Sequence, residues 1–183
     1  MKNTAVEKAR FCLNCGSPLR HGKVDGERRW LCSDTSCDFV LWDNPVPVVA
    51  AIVRFQNKLL LARNAKWPHG IQSIISGYLE KGEAPQAAVV RELKEETGLA
   101  AERVTLLGLY MCHELNQVLM IYVIDAKGEI QLGPELVEYS LVPAERIDPQ
   151  GFGCRPEVES WQQMGMGVGP AMSDYLQIFH NID

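Results

Sequence analysis

Gly77-Tyr78-Leu79-Glu80-Lys81-Gly82-Glu83-Ala84-Pro85-Gln86-Ala87-Ala88-Val89-Val90-Arg91-Glu92-Leu93-Lys94-Glu95-Glu96-Thr97-Gly98-Leu99 is the stretch of this sequence that decides its fold and its chemistry. Pro85 suits a first helical turn and Gly98 the left-handed residue after a last one, so a helix is expected over 85–97. At about 100° per residue, Val89, Val90, Leu93 and Thr97 share one side of that helix. Glu92, Glu95 and Glu96 fall on the neighbouring side at i, i+3 and i+4, where like charges repel. Glu95 and Glu96 also sit in the last turn, beside the negative end of the helix dipole. A solvated acidic face is the ordinary explanation of such a run. Here it would leave a cluster that disfavours its own helix for no return, whereas a bound divalent cation reverses the sign of every one of these terms.

The flanking residues narrow the reading. Gly77, five residues, Glu83, seven residues, Arg91-Glu92-Leu93, one residue, Glu95-Glu96, one residue and Gly98-Leu99 reproduce the Nudix box at every fixed position. The chain therefore resembles the Nudix hydrolases over about residues 48–148. The resemblance implies an α/β (α+β) fold, an α/β/α sandwich whose mixed sheet lies between helices, with the box as a loop–helix–loop. It also implies hydrolysis at phosphorus of a nucleoside diphosphate linked to a second group. Glu92 and Glu96 are the ligands it implies for metal, with the Ser76 carbonyl as companion. Glu83 and Glu80 are expected to support the loop or hold metal through water, and Arg91 to orient Glu95 from one turn away. Glu95 is one candidate for the general base, and acids outside the box are others. In Pro134-Glu135-Leu136-Val137-Glu138, Glu135 maps onto a further metal-binding glutamate of Nudix enzymes that carry a zinc ribbon. Oxygen-only ligands select hard ions, so Mg²⁺ or Mn²⁺ is the expected cofactor.

Outward from the box, Val48–Phe55 and Lys58–Arg63 read as a hairpin of mostly buried strands about a Gln56-Asn57 turn. Ser73-Ile74-Ile75 is expected as a short strand stopped by Gly77. Further strands are expected near Val104–Met111 and Val118–Ile124, and another around Ser140-Leu141 after a turn or short helix at Pro134–Tyr139. Residues 151–170 are assigned no structure, and Asp174–His180 a terminal helix. The organisation expected is a tail at 1–10, a cysteine-rich module at 11–42, a linker at 43–47 stiffened by Pro45 and Pro47, the catalytic domain at 48–150 and a C-terminal extension at 151–183.

Bulk composition agrees with a folded chain. Of 183 residues, 46% are apolar, enough for a packed core. The net charge of −5 argues against broad binding of nucleic acid or anionic membrane through bulk charge. No apolar run approaches the roughly 20 residues that span a bilayer, so no membrane partner is expected. The first residues lack the apolar region of a secretory signal, which makes a cytoplasmic location the expectation.

Four of the six cysteines form two close pairs, Cys12/Cys15 and Cys32/Cys37, sixteen residues apart. Without a secretory signal, this spacing reads as a four-cysteine structural Zn²⁺ site in a zinc ribbon rather than as disulfides. A block of about 30 residues cannot bury enough core to fold alone, so the metal is expected to supply much of its stability. Arg20, Lys23, Arg28, Arg29 and Trp30 suggest nucleic-acid contact, but Asp25, Glu27, Asp34 and Asp38 nearly balance them. A structural or dimerising role, including a homodimer, is therefore ranked ahead of nucleic acid. Cys112 and Cys154 read as buried or incidental thiols.

A ribbon directly before the box is similar to the NADH pyrophosphatase group, some members of which remove NAD caps from RNA. That group's Ser-Gln-Pro-Trp-Pro-Phe-Pro array has no counterpart in Leu109–Gln117 here. The expected substrate is thus a dinucleotide or nucleotide-sugar such as ADP-ribose, FAD or NADH. Tyr78 and His113 are the candidate substrate contacts, with Glu114 and Tyr110 nearby. A nucleotide-sensing regulator and an RNA-end-processing enzyme that uses the ribbon on nucleic acid stay open as alternatives.

Overall fold

Alternation along one strand organises the larger part of the molecule. In the computed structural model, which describes residues 10–113, 115–149 and 168–179, β4 (Val46–Phe55) is buried at nearly every position. Successive side chains of a strand face opposite ways. Val48, Ala50 and Ile52 accordingly enter one core, and Val49, Ala51 and Val53 the other. A strand buried on both faces needs a layer on each side of its sheet.

Contacts divide the chain into Met1–Pro45 and Val46–Asp183. The second unit is built on a mixed sheet of six strands. It comprises β4, β5 (Lys58–Asn64), β6 (Ile75–Tyr78), β7 (Ala100–Cys112), β8 (Gln117–Lys127) and β9 (Leu136–Val142). The order is β7-β8-β4-β5-β9, with β6 also on β4. β4 runs parallel to β8, and the other pairs are antiparallel. α1 (Pro85–Thr97) covers one face through Ala88, Val89 and Leu93, and α2 (Val168–Phe179) the other through Ala171, Met172 and Tyr175. This is the layered α+β architecture expected. Among the described residues, no helix is long and apolar enough to cross a membrane.

Several expectations are corrected. β6 does not stop at Gly77 but runs through it, because Gly77 pairs with Val49 and Tyr78 with Val48. Ser73 makes only an isolated bridge to Ala62. Residues 136–139 are strand rather than turn: Tyr139 and Glu138 pair with Ala62 and Arg63 of β5. β7 and β8 extend beyond both predicted cores, and α2 begins at Val168, inside the stretch assigned no structure. Glu114, Cys154 and His180 lie outside the described residues. The predicted turn holds: Gln56 and Asn57 both take positive φ, 52° and 58°, as a two-residue hairpin turn with the right twist requires.

The first unit is a three-stranded antiparallel sheet of β1 (Leu19–Val24), β2 (Glu27–Cys32) and β3 (Val40–Leu41). Among its described residues only Cys12 and Cys32 are buried.

Candidate active site and metal centres

The ends of α1 place the acidic residues. Pro85 opens the helix and Gly98 closes it in the left-handed conformation, φ 72°, with its N–H on the Lys94 carbonyl. The last carbonyls would otherwise be orphaned. Gln131 N–H donates to Thr97 O at 2.8 Å and Gly133 N–H to Glu96 O at 2.9 Å. The segment that caps the helix therefore also carries Glu135 to it. A cleft of about 500 Å³ is lined by Ser76, Gly77, Tyr78, Glu80, Glu92, Glu95, Glu96 and Glu135, with Lys66, Gly133 and Pro134.

Arg91 holds the box loop to the helix. Its guanidinium donates to both oxygens of Glu83, at 2.9 and 3.1 Å, to Glu92 at 2.8 Å and to Glu95 at 3.1 Å. Hydrogen bonds to these acids, Glu83 first, raise its pKa further above the usual guanidinium value. The fork with Glu83 is bidentate, the strongest arrangement open to such a pair. Glu83 also accepts the Glu80 N–H at 3.4 Å and does not line the cleft. It braces the loop, and its carboxyl is held below the usual range chiefly by Arg91.

Glu96 is the perturbed acid. Burial pushes it up to about 8, assisted by the charges of Glu92, Glu135 and Glu95 and opposed by a hydrogen bond from the Ser76 N–H. In a strand, one residue's N–H and C=O point to the same edge, so the Ser76 carbonyl faces the helix as well. An ideal Cβ built on Gly77 would collide with the Glu92 carboxylate, and only glycine leaves that space. The donor set is entirely oxygen, and its charges repel until a cation joins them. That chemistry fits a hard divalent ion. The cleft carboxylates converge less tightly than the cysteines, which are the one metal-ligand group within 4.8 Å among the described residues.

The cysteines fit Zn²⁺. Cys12 and Cys37 sulfurs lie 3.8 Å apart and Cys15 and Cys32 sulfurs 3.4 Å apart, all as free thiols. Tetrahedral zinc with bonds of about 2.3 Å sets sulfurs about 3.8 Å apart. Asn14 donates its backbone N–H to Cys12 Sγ at 3.3 Å. The looser second pair closes because Asp34 Oδ1 accepts the Ser36 N–H and hydroxyl at 2.9 and 2.7 Å, curling the chain between Cys32 and Cys37.

The structure thus gathers Ser76, Tyr78, Glu92, Glu95, Glu96 and Glu135 at one cleft and sets Glu83 behind them on Arg91. His113 stands exposed in the β7–β8 turn and does not line the cleft. Sequence reasoning missed Lys66. A single lysine in a loop carries no spacing signal. Its position comes from Asn64 and Ala65, which bond the Glu135 carboxylate and carbonyl at 3.4 and 2.8 Å.

A mixed sheet between helices, with a glycine-ended acidic helix feeding one cleft, defines a protein of the Nudix class. Residues 44–161 match the NUDIX domain model, and the chain belongs to that family. It is similar to the NAD-capped RNA hydrolase NudC of Stutzerimonas stutzeri, 33% identical over 138 residues, which are 74% of this chain and 48% of that protein. The NudC of Vibrio atlanticus is 31% identical over 137 residues, again 74% and 48%. The chain spans about half the length of these curated relatives. A NUDIX hydrolase from Nitrosomonas europaea superposes with a TM-score of 0.69 at 22% identity, covering 96% of this chain and 94% of its own.

Proposed function

We propose that the chain is a divalent-metal-dependent pyrophosphohydrolase acting on the diphosphate linkage of a nucleoside diphosphate derivative, a dinucleotide or a nucleotide-sugar. The observation that carries this reading is the crowding of Glu92, Glu95, Glu135 and half-buried Glu96 around one cleft, where burial first and the neighbouring carboxylates second raise Glu96 to about 8. In the proposal Glu92, Glu96, Glu135 and the Ser76 carbonyl hold Mg²⁺ or Mn²⁺. Bound there, such an ion would offset the charge of the phosphates and lower the pKa of an attacking water.

This chain's residues then divide the work. Glu95 is exposed at 59% of its side chain and lines the cleft, and Arg91 engages one of its oxygens. In the proposal its other oxygen accepts the proton of the attacking water as that water adds to phosphorus and the bond to the leaving phosphate oxygen breaks. Arg91 and Glu83 keep Glu92 and Glu95 in position. Tyr78, 62% exposed at the cleft, offers a ring for a base. Lys66 brings the cation of the lining to the substrate's phosphate charge.

Two substitutions probe this division. Gly77→Ala should displace the Glu92 carboxylate, a flexible end, rather than the fold. Mn²⁺ affinity measured by calorimetry should fall about tenfold or more, with melting little changed. Lys66→Met should raise KM about tenfold and leave Mn²⁺ affinity alone, whereas Lys66→Arg keeps the charge. An unchanged KM in Lys66→Met removes that contact from the scheme.

The relatives' names bring NAD-capped RNA into the substrate class. The deciding experiment incubates ADP-ribose, FAD, NADH and NAD-capped RNA with Mg²⁺ or Mn²⁺ and scores AMP or 5′-monophosphate ends. No release from any of them would refute the reading. Zn²⁺ on Cys12, Cys15, Cys32 and Cys37 belongs to the same proposal as a structural ion.

A further inference from the structure

One acid of the Pro134–Glu138 stretch takes no part in the cleft. Glu135 lines it, whereas Glu138, further along in β9, does not. Glu138 stands directly opposite Arg63 of β5, and cross-strand neighbours of opposite charge attract. On a solvated surface such a pair contributes little. Here the cation lies inside, with the Arg63 side chain only 10% exposed. Its Nε donates to Glu138 Oε2 at 3.1 Å and its Nη1 to the Trp67 carbonyl at 3.3 Å. The other carboxylate oxygen accepts Gln72 Nε2 at 3.1 Å, and Gln72 is buried as well. One carboxylate thus satisfies two buried donors, neither of which tolerates being left bare in the interior.

Those donors stand at the two ends of one loop. Between β5 and β6 the chain departs after Asn64 and returns at Ser73, which exchanges both backbone bonds with Ala62, each 2.9 Å. Glu138 takes Arg63 at the first end and Gln72 at the last, and Arg63 grips Trp67 between them. Asn64 turns the chain locally: its Oδ1 accepts the Lys66 N–H at 3.0 Å and its carbonyl the Trp67 N–H at 2.9 Å. The register shifts between Arg63 and Asn64, so these neighbours reach two different acids. Arg63 meets Glu138, and Asn64 meets Glu135 at 3.4 Å. Lys66 is the side chain that the loop, so folded, sends to the cleft.

We propose that Glu138 is a positioning residue: it clasps both ends of the 64–72 loop and so fixes Lys66 at the cleft. The proposal rests on the reading of Lys66 as the contact for the substrate's phosphate charge. Glu138 touches neither metal nor water in it and acts on substrate binding. A lysine held beforehand loses less freedom when the phosphate arrives, and that difference appears as affinity.

The test compares Glu138→Ala and Gln72→Ala in the full zinc-loaded chain. Gln72→Ala leaves the Arg63 ion pair in place, so it keeps the fold should Glu138→Ala lose it. Amide exchange at Lys66 and Trp67 should quicken about tenfold in either variant, with α1 and β4 unchanged. Kinetics use Mg²⁺ and whichever of ADP-ribose, FAD or NADH the wild-type chain cleaves. Glu138→Ala should raise KM about three- to tenfold at nearly constant kcat and with Mn²⁺ affinity kept. Combined with Lys66→Met it should add nothing, because the loop then carries no cation to misplace. Exchange unchanged in both variants, KM effects that multiply in the double variant, or a loss confined to kcat would overturn the assignment. A wild-type chain that cleaves none of the three removes the functional reading and Lys66's part in it. Faster exchange at Lys66 and Trp67 would then still establish the clasp, and unchanged exchange would remove that too.

Discussion

In the Glu96→Gln variant, turnover of a nucleoside diphosphate substrate with Mg²⁺ is expected to fall on the order of 10³-fold, while the fold persists. The same substitution should do something unusual to stability. Wild-type Glu96 is pushed up to about 8 in the folded chain, first by burial and then by Glu92 and Glu135, whereas in the unfolded chain it titrates near 4.3. Between those values the folded state binds more protons than the unfolded one. Stability is therefore complete at acid pH and is lost as pH rises through about 8. The loss amounts to as much as about 5 kcal/mol, at about 1.4 kcal/mol for each pH unit between those two values. A glutamine has no such dependence. In buffer free of Mg²⁺ and Mn²⁺ the variant should melt higher than wild type at pH 8 and about equally at pH 5. Melting curves with identical pH slopes would show that Glu96 is not the strained acid.

Removing zinc should dismantle the N-terminal unit and leave the rest standing. Among the described residues before Val46 only Cys12 and Cys32 are buried, so no apolar core exists to survive the loss of the ion. Zinc binding to such modules contributes about 10–16 kcal/mol at neutral pH, and that energy is also their folding energy. In Cys12→Ser, or after exhaustive chelation of the full chain, amide protection over β1–β3 should vanish. The strands β4, β5 and β8 should keep theirs, since both of their faces are packed. One zinc per chain should be released. Protection of β1–β3 that outlasts the metal would overturn the structural role.

The acidic helix was legible because its signals are local: Pro85, Gly98 and the glutamate spacing act within a few turns, and the observed helix is Pro85–Thr97. The cysteine spacing was legible for the same reason. What escaped depends on distant partners. β6 continues through Gly77 because β4 supplies a register there. Leu136–Tyr139, expected as a turn or short helix, joins the strand expected at Ser140-Leu141 because β5 offers it an edge. The ribbon strands carry no alternation of buried and exposed residues, since sulfur rather than hydrocarbon forms their interior. Lys66 reaches the cleft through Asn64 and Ala65, a contact with residue 135 that no spacing announces.

The strap from Gln131 to Glu135 does two jobs in five residues, closing the end of α1 through Gln131 and Gly133 and delivering a carboxylate to the cleft. Its length is consequently a tolerance, not a convenience. One residue inserted there would shift the acid out of phase with the helix it serves, while the β7–β8 turn can accept insertions without touching either end. Anyone retailoring this scaffold for another leaving group should leave the strap at its present span.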